Sequence, residues 1–195
     1  VHRRVFKESR ESEIGSLLLS EGVIRQRVKA LAADIHTAYS PVPFTIVGLL
    51  NGSLLFTADL LRELPPETEV VFWRVKSYRG TLSSGNPEGL EAEGGEFAGR
   101  RVLVVDDILD SGCTLSAVEK RLRALGASSV EYCVLLAKQR ARPPGFPVPR
   151  WVGFEIPDRF VVGYGLDYNG RYRGLSSIRM LEEEKILPGG AESAG

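Results

Sequence analysis

Cysteine, histidine and net charge are what this sequence has least of. The only cysteines, Cys113 and Cys133, form no CxxC pair and have no histidines at metal spacing. A disulfide scaffold and a thiolate metal site are therefore both excluded, and a reducing, cytoplasmic setting is the simplest expectation. The only histidines, His2 and His36, stand outside every motif below, so a proton acceptor must be sought among carboxylates. No apolar run approaches the ~18 residues of a membrane span, and the start VHRRVFKESR has no hydrophobic signal core. Lys and Arg number 25 and Asp and Glu number 25, giving a net charge of zero. No field of one sign draws the chain to nucleic acid or to an anionic membrane, so neither is expected as a partner, and any affinity for phosphate must be local.

What is present fits one globular domain. At 195 residues and 43% hydrophobic, the chain can bury a core without metal or disulfide support. A single domain over 1–187 is expected, with PGGAESAG at 188–195 as a disordered tail. After a polar start, SEGVIRQRVKALAADIHTAY sets Ile24, Val28, Leu31 and Ile35 at helical spacing behind Ser20, a suitable N-cap. FTIVGLL reads as a buried strand, LLFTADLLREL as a helix stopped by Pro65-Pro66, and EVVFWRV as a second strand. From Lys76 to Arg101 the chain is glycine-rich with few large apolar residues, which predicts a long loop or loose hairpin of the kind that serves as a lid. RRVLVVD is a third strand, TLSAVEKRLRALG a helix with a Leu115, Val118, Leu122, Leu125 stripe and a Gly126 stop, and SVEYCVLLA a further strand. RARPPGFPVPR is a proline-rich connection, and DRFVVGYGLDYNGRYRGL a last strand and loop. Helices alternating with near-continuously apolar strands predict an α/β fold with a mainly parallel sheet covered on both faces.

The stretch VLVVDDILDSGCTL carries the chemistry. Ligands of open α/β sheets bind outside the carboxyl ends of the strands. There Asp106 and Asp107 can accept hydrogen bonds from a vicinal diol or approach Mg2+. Asp110, Ser111, Gly112, Cys113 and Thr114 then lead into a helix, where backbone N–H groups and hydroxyls can converge on one anion, a monophosphate being the natural guest. Diol-binding acids, a further acid and a phosphate cradle together describe a ribose 5-phosphate lying along the strand end. Taken singly, each piece has a blander reading: a strand-end Asp as a turn residue, D-S-G-x-T as an ordinary helix start, an apolar strand plus DD as part of a phosphate-accepting receiver domain.

At these residues the sequence resembles the type I phosphoribosyltransferases, whose signature for 5-phosphoribosyl 1-pyrophosphate (PRPP) is an apolar strand, two acids, two residues and D-[ST]-G-x-T. More narrowly it resembles the hypoxanthine-guanine phosphoribosyltransferases, bacterial type. VGLLNGSLLFTADL is similar to their pyrophosphate loop, KSYRGTLSSG to their mobile lid, LLAKQR to their base-contacting lysine segment and VGFEIPDRFVVGYGLDYNGRYRGL to their purine pocket. The likeness runs from about Leu17 to Arg179 and implies a parallel sheet flanked by helices with a small hood over the base.

The resemblance implies a purine salvage enzyme that transfers 5-phosphoribosyl from PRPP to N9 of hypoxanthine or guanine, with Mg2+ as cofactor and a homodimer or homotetramer as assembly. By position, Asp106 and Asp107 would contact the ribose hydroxyls directly or through Mg2+, and Asp110 would act as general base at purine N7. Ser111, Gly112, Cys113 and Thr114 would wrap the 5-phosphate. Lys138 would bond the exocyclic O6, Phe160 would stack on the purine and the Val161 backbone would read its opposite edge. Asp167 would hold a second Mg2+, while Asn51, Gly52 and Arg173 would meet pyrophosphate. Ser77 and Tyr78 would close over the reacting centre as part of a lid over 76–97.

Two positions depart from the subfamily. Asn51-Gly52 stands where Lys-Gly is common, at a loop whose preceding peptide is often cis, and the acid pair is Asp-Asp where Glu-Asp is more usual. The first departure removes a positive charge near the leaving group. It is what speaks for the alternative of a non-catalytic PRPP- or nucleotide-binding regulator; a xanthine-preferring enzyme is the other alternative.

Overall fold

The structure, a computed structural model, describes residues 14–75, 90–91, 97–140 and 145–181. The expected tail at 188–195, the lid residues Ser77 and Tyr78 and the greater part of the lid lie outside these residues.

The main sheet is built from β2 (Thr45–Leu50), β3 (Glu69–Val75), β4 (Leu90–Glu91), β5 (Arg101–Leu109), β6 (Ser129–Lys138) and β7 (Trp151–Ile156), in the order β4-β3-β2-β5-β6-β7. All neighbours are parallel except β4, whose two residues run antiparallel to the end of β3. Helices α1 (Glu21–Tyr39) and α2 (Leu54–Glu63) cover one face and α3 (Cys113–Ala124) the other. The strands show why both faces must be covered. Along β5, Leu103 and Val105 enter one core while Val102 and Val104 enter the other, all fully buried. Alternation in pointing with no alternation in polarity is the signature of a doubly covered strand.

Helix α1 begins where expected: Ser20 Oγ accepts from the Val23 N–H, and Ile24, Val28, Leu31 and Ile35 are buried. In α3, Leu115, Val118 and Leu122 are buried, and Gly126, at φ 83°, supplies the left-handed stop. Each buried Leu or Ile contributes roughly 1.5–3 kcal/mol relative to exposure, so these stripes dock the helices.

Four sequence expectations need correction. The polar start contains a strand, β1 (Gly15–Leu19), which pairs antiparallel with β9 (Ile178–Leu181); with β8 (Val161–Val162) they form a separate sheet in the order β1-β9-β8. Neither β1 nor β9 alternates in polarity, because at five and four residues each is too short for a period of two to show. WVGFEI, read only as part of the pocket, is the edge strand β7. RRVLVVD does not end at the acids: β5 continues through Leu109, because pairing with β6 goes on past Asp106 to Leu109. Phe97, assigned to the lid, is a core residue, 2% exposed and edge-on to Trp73 at 5.5 Å.

Among the described residues no helix is long and apolar enough to cross a membrane, and both cysteines are free thiols, Cys113 exposed and Cys133 buried. Burial in apolar surroundings pushes the Cys133 thiol far up, so it behaves as a small hydrophobe.

Candidate active site

The topology makes the site. From β2 the chain winds to β3 on one side, and from β5 to β6 and β7 on the other, so the switch point lies between β2 and β5. Pairing between them stops at Gly48 with Val105, whereas β5 stays paired to β6 as far as Leu109. One flank of β5 is thus released from β2 where Asp106 and Asp107 begin.

Both carboxylates are partly satisfied by their own strand: Asp106 Oδ1 accepts the Asp107 N–H at 3.0 Å and Asp107 Oδ1 the Ile108 N–H at 3.0 Å. Asp106 is 8% exposed, and burial, then the neighbouring Asp107 charge, holds its carboxyl well above the usual carboxylate range. Burial also raises Asp107, while hydrogen bonds and the Arg173 guanidinium pull it partly back. Two adjacent, poorly hydrated carboxylates form a site short of positive charge or hydroxyl donors. Mg2+ fits this donor set, because it commonly takes one or two carboxylates and completes its shell with substrate oxygens and water. Among the described residues no three His, Cys, Asp or Glu side chains gather into an all-protein cage.

The Asn51-Gly52 loop follows β2, and its Leu50–Asn51 peptide is cis. Its position is set by contact on two sides. A Cβ on Gly52 would collide with Asp107 Oδ2, and a Cβ on Gly165, which sits at φ 100°, would collide with the Gly52 carbonyl oxygen. Only glycine allows this stack of acid, loop and hood.

Downstream of the acids, Gly112 caps α3 at φ 84° with no side chain to satisfy the first turn. The Cys113 N–H reaches Ser111 Oγ at 3.4 Å, and helix geometry leaves the N–H groups of Thr114 and Leu115 without intrahelical acceptors. The cradle read from Ser111, Gly112, Cys113 and Thr114 therefore has the donors an anion needs. Phe146 packs over it, with Cδ1 2.8 Å from where a Gly112 Cβ would lie. Phe146 was not singled out from sequence, since a phenylalanine among prolines carries no signal of what it covers.

Asp110 lies just past β5 and Lys138 ends β6, and their side chains meet at 3.5 Å. Lys138 also pairs with Asp158 Oδ1 at 3.1 Å, and Arg140 pairs with Asp110 and, at 3.9 Å, with Asp158. Asp158 and Arg140 were missed by sequence reasoning. The available signal was the cost of a lysine at the end of a buried strand, which calls for acids at the ends of the adjoining strands. Val161 opens β8, in the small sheet, and Phe160 stands just before it. Phe160 is half-buried and edge-on to Tyr168 at 5.7 Å, while Val161 is 5% exposed. Phe160 thus lies two residues after Asp158 of the charged cluster and leads directly into the small sheet.

Asp167 and Arg173 come together at 2.7 Å. Asp167 Oδ2 also accepts the Gly170 N–H at 2.7 Å, and Arg173 donates to the Gly165 carbonyl at 2.6 Å. The turn reading of Asp167 thus holds alongside any role toward a ligand. A cleft of about 430 Å³ lies elsewhere, between α1, α2 and residues 174–176, and none of the strand-end residues lines it.

Comparison with known proteins agrees with this architecture. Residues 18–169 match the phosphoribosyl transferase domain family. The chain is 40% identical over 180 residues to a hypoxanthine-guanine phosphoribosyltransferase of Aquifex aeolicus, covering 91% of this chain and 100% of that one. It is 39% identical over 171 residues to the Bacillus subtilis protein of the same name, covering 87% and 94%. Its backbone is similar to the crystal structure of a Staphylococcus aureus hypoxanthine phosphoribosyltransferase, with a TM-score of 0.84 at 32% identity over 92% of this chain and 98% of that one.

Proposed function

Since the chain belongs to the phosphoribosyltransferase family, we propose that it transfers the 5-phosphoribosyl group of PRPP to N9 of hypoxanthine or guanine, releasing pyrophosphate. The observation that carries this reading is the meeting of Asp110 and Lys138, 28 positions apart in sequence, at the carboxyl end of β5, the same strand end that carries the acid pair. A proton acceptor and a donor-only cation side by side suit a ring that loses a proton at N7 and presents an oxygen at C6. The same ammonium disfavours a 6-amino group, whose hydrogens meet another donor, so adenine is a poor substrate.

In the proposed reaction the C1–O bond to pyrophosphate breaks, the C1–N9 bond forms with inversion, and the N7 proton passes to Asp110. Positive charge grows on the ribose ring as the leaving group departs, as in other glycosyl transfers. Asp106 and Asp107 would hold the ribose hydroxyls beneath that charge. Ser111, Gly112, Cys113 and Thr114 would anchor the 5-phosphate, so that C1 rather than the phosphate end is the mobile part. Asn51 and Gly52 would offer an amide and backbone N–H groups to pyrophosphate, with Arg173 supplying positive charge. Phe160 and the Val161 backbone would seat the purine, and Ser77 and Tyr78 would exclude water. Mg2+, held by Asp106 and Asp107 with a second ion at Asp167, would offset negative charge on the leaving group.

The test is to supply PRPP and Mg2+ with hypoxanthine, guanine, xanthine or adenine and to follow nucleotide formation, with Asp110→Asn in parallel. Conversion of the 6-oxopurines that falls by about 100-fold or more in the variant is the expected result for loss of a general base. PRPP binding with no turnover of any purine would replace this reading with that of a regulator.

A further inference from the structure

Lys138 and Asp110 do not stand alone. With Asp158 and Arg140 they close a ring of alternating charge in which each cation touches both carboxylates. The ring is not symmetric. Lys138 is nearer to Asp158 (3.1 Å) than to Asp110 (3.5 Å), while Arg140 pairs closely with Asp110 and stands 3.9 Å from Asp158. Burial differs too: the Lys138 side chain is 14% exposed, whereas those of Arg140, Asp158 and Asp110 are 42%, 45% and 47% exposed.

These differences assign different work to the two outer members. A sheltered ammonium needs a permanent counter-charge. Asp110 cannot be that partner throughout a reaction in which it accepts a proton, because once neutral it no longer balances Lys138. Asp158 takes no proton in that reaction and lies closer. The hydrogen bond from Lys138 holds the Asp158 carboxyl below the usual carboxylate range, the direction expected of a carboxylate kept ionised by its partner. Arg140 does the opposite service: its guanidinium occupies an oxygen of Asp110, the group that must turn toward the purine.

On the reading that Asp110 and Lys138 face the base, we infer that Asp158 and Arg140 are opposed positioning residues, Asp158 holding Lys138 in place for O6 and Arg140 competing with the incoming purine for Asp110. Removing the first weakens base binding; removing the second strengthens it. General destabilisation of the pocket would move both in the same direction.

The experiment measures KM and kcat for hypoxanthine, guanine and PRPP in the wild type and in Asp158→Asn, Asp158→Glu, Arg140→Ala and Arg140→Lys. Asp158→Asn is expected to raise the base KM about tenfold with kcat held within about twofold, the pattern of lost uniform binding. Asp158→Glu should recover most of that loss, and the KM for PRPP should not move. Arg140→Ala should lower the base KM about threefold as the competitor disappears, with Arg140→Lys close to wild type. Equal or parallel shifts in Asp158→Asn and Arg140→Ala would overturn the inference. A second readout needs no turnover: acetylation of Lys138, followed by mass spectrometry, should become several-fold faster in Asp158→Asn because the amine is no longer held in its closest ion pair. Unchanged labelling would refute the role of Asp158. If the wild type converts no purine, the proposed function falls, and labelling alone decides the role of Asp158.

Discussion

Asp106 is a residue whose site costs the fold something. A carboxyl raised above its unfolded value is harder to ionise in the native protein, so at neutral pH its negative form destabilises the folded chain. Asp106→Asn keeps an oxygen to accept the Asp107 N–H and removes the charge. Without PRPP or Mg2+ the variant is expected to melt about 2–4 °C higher at pH 7, the shift of ~1 kcal/mol in a chain of this size. PRPP with Mg2+ should then raise the melting temperature of the wild type and not of the variant, and calorimetric scans check both. Asp158 works with the opposite sign. Its folded value is depressed by Lys138, so its stabilisation is complete above the ordinary aspartate range, ~3.9, and is lost as pH falls through the lower folded value. Urea midpoints of wild type and Asp158→Asn should therefore differ at pH 7 and converge in acid; a constant gap across pH would contradict the ion pair.

At the scale of elements, short contacts between non-neighbouring segments align the layers. Arg27 of α1 donates to the Gly153 carbonyl from Nε at 2.9 Å and to the Val152 carbonyl from Nη2 at 2.7 Å, fastening the helix to the edge strand β7. Arg27→Met keeps much of the apolar stem and removes both donors. It should lower unfolding free energy by roughly 1.5–3 kcal/mol, the range for hydrogen bonds to a charged group, measured by chemical denaturation. β5 shows how far element reading goes from sequence. Its apolar run to Val105 is plain, yet its last four residues are strand only because β6 continues beside them. Propensity does not reveal that extension, since aspartate is disfavoured in strands and a partner overrides the preference.

For the whole molecule, the decisive contact is between the main sheet and the small one. Gly165, in the turn after β8, rests on the Gly52 carbonyl, and Gly52 rests on Asp107. Gly165→Ala would insert a Cβ into that contact at a φ of 100°, and is expected to cost about 1–3 kcal/mol, as overpacking does. It should also weaken PRPP binding by moving the Asn51-Gly52 loop, read by calorimetric titration against wild type. The sequence by itself determined the alternation of helices and strands, the doubly covered sheet and the run from Asp106 to Thr114, because these rest on local periodicity and on residue types with few other uses. Only the tertiary structure decided that β1 and β9, whose paired residues Leu19 and Ile178 are 159 positions apart, join in one small sheet, and that Lys138 and Asp110 share Asp158 and Arg140. Such pairings are chosen by which strand ends the fold brings level, and no local pattern records a neighbour that is distant along the chain.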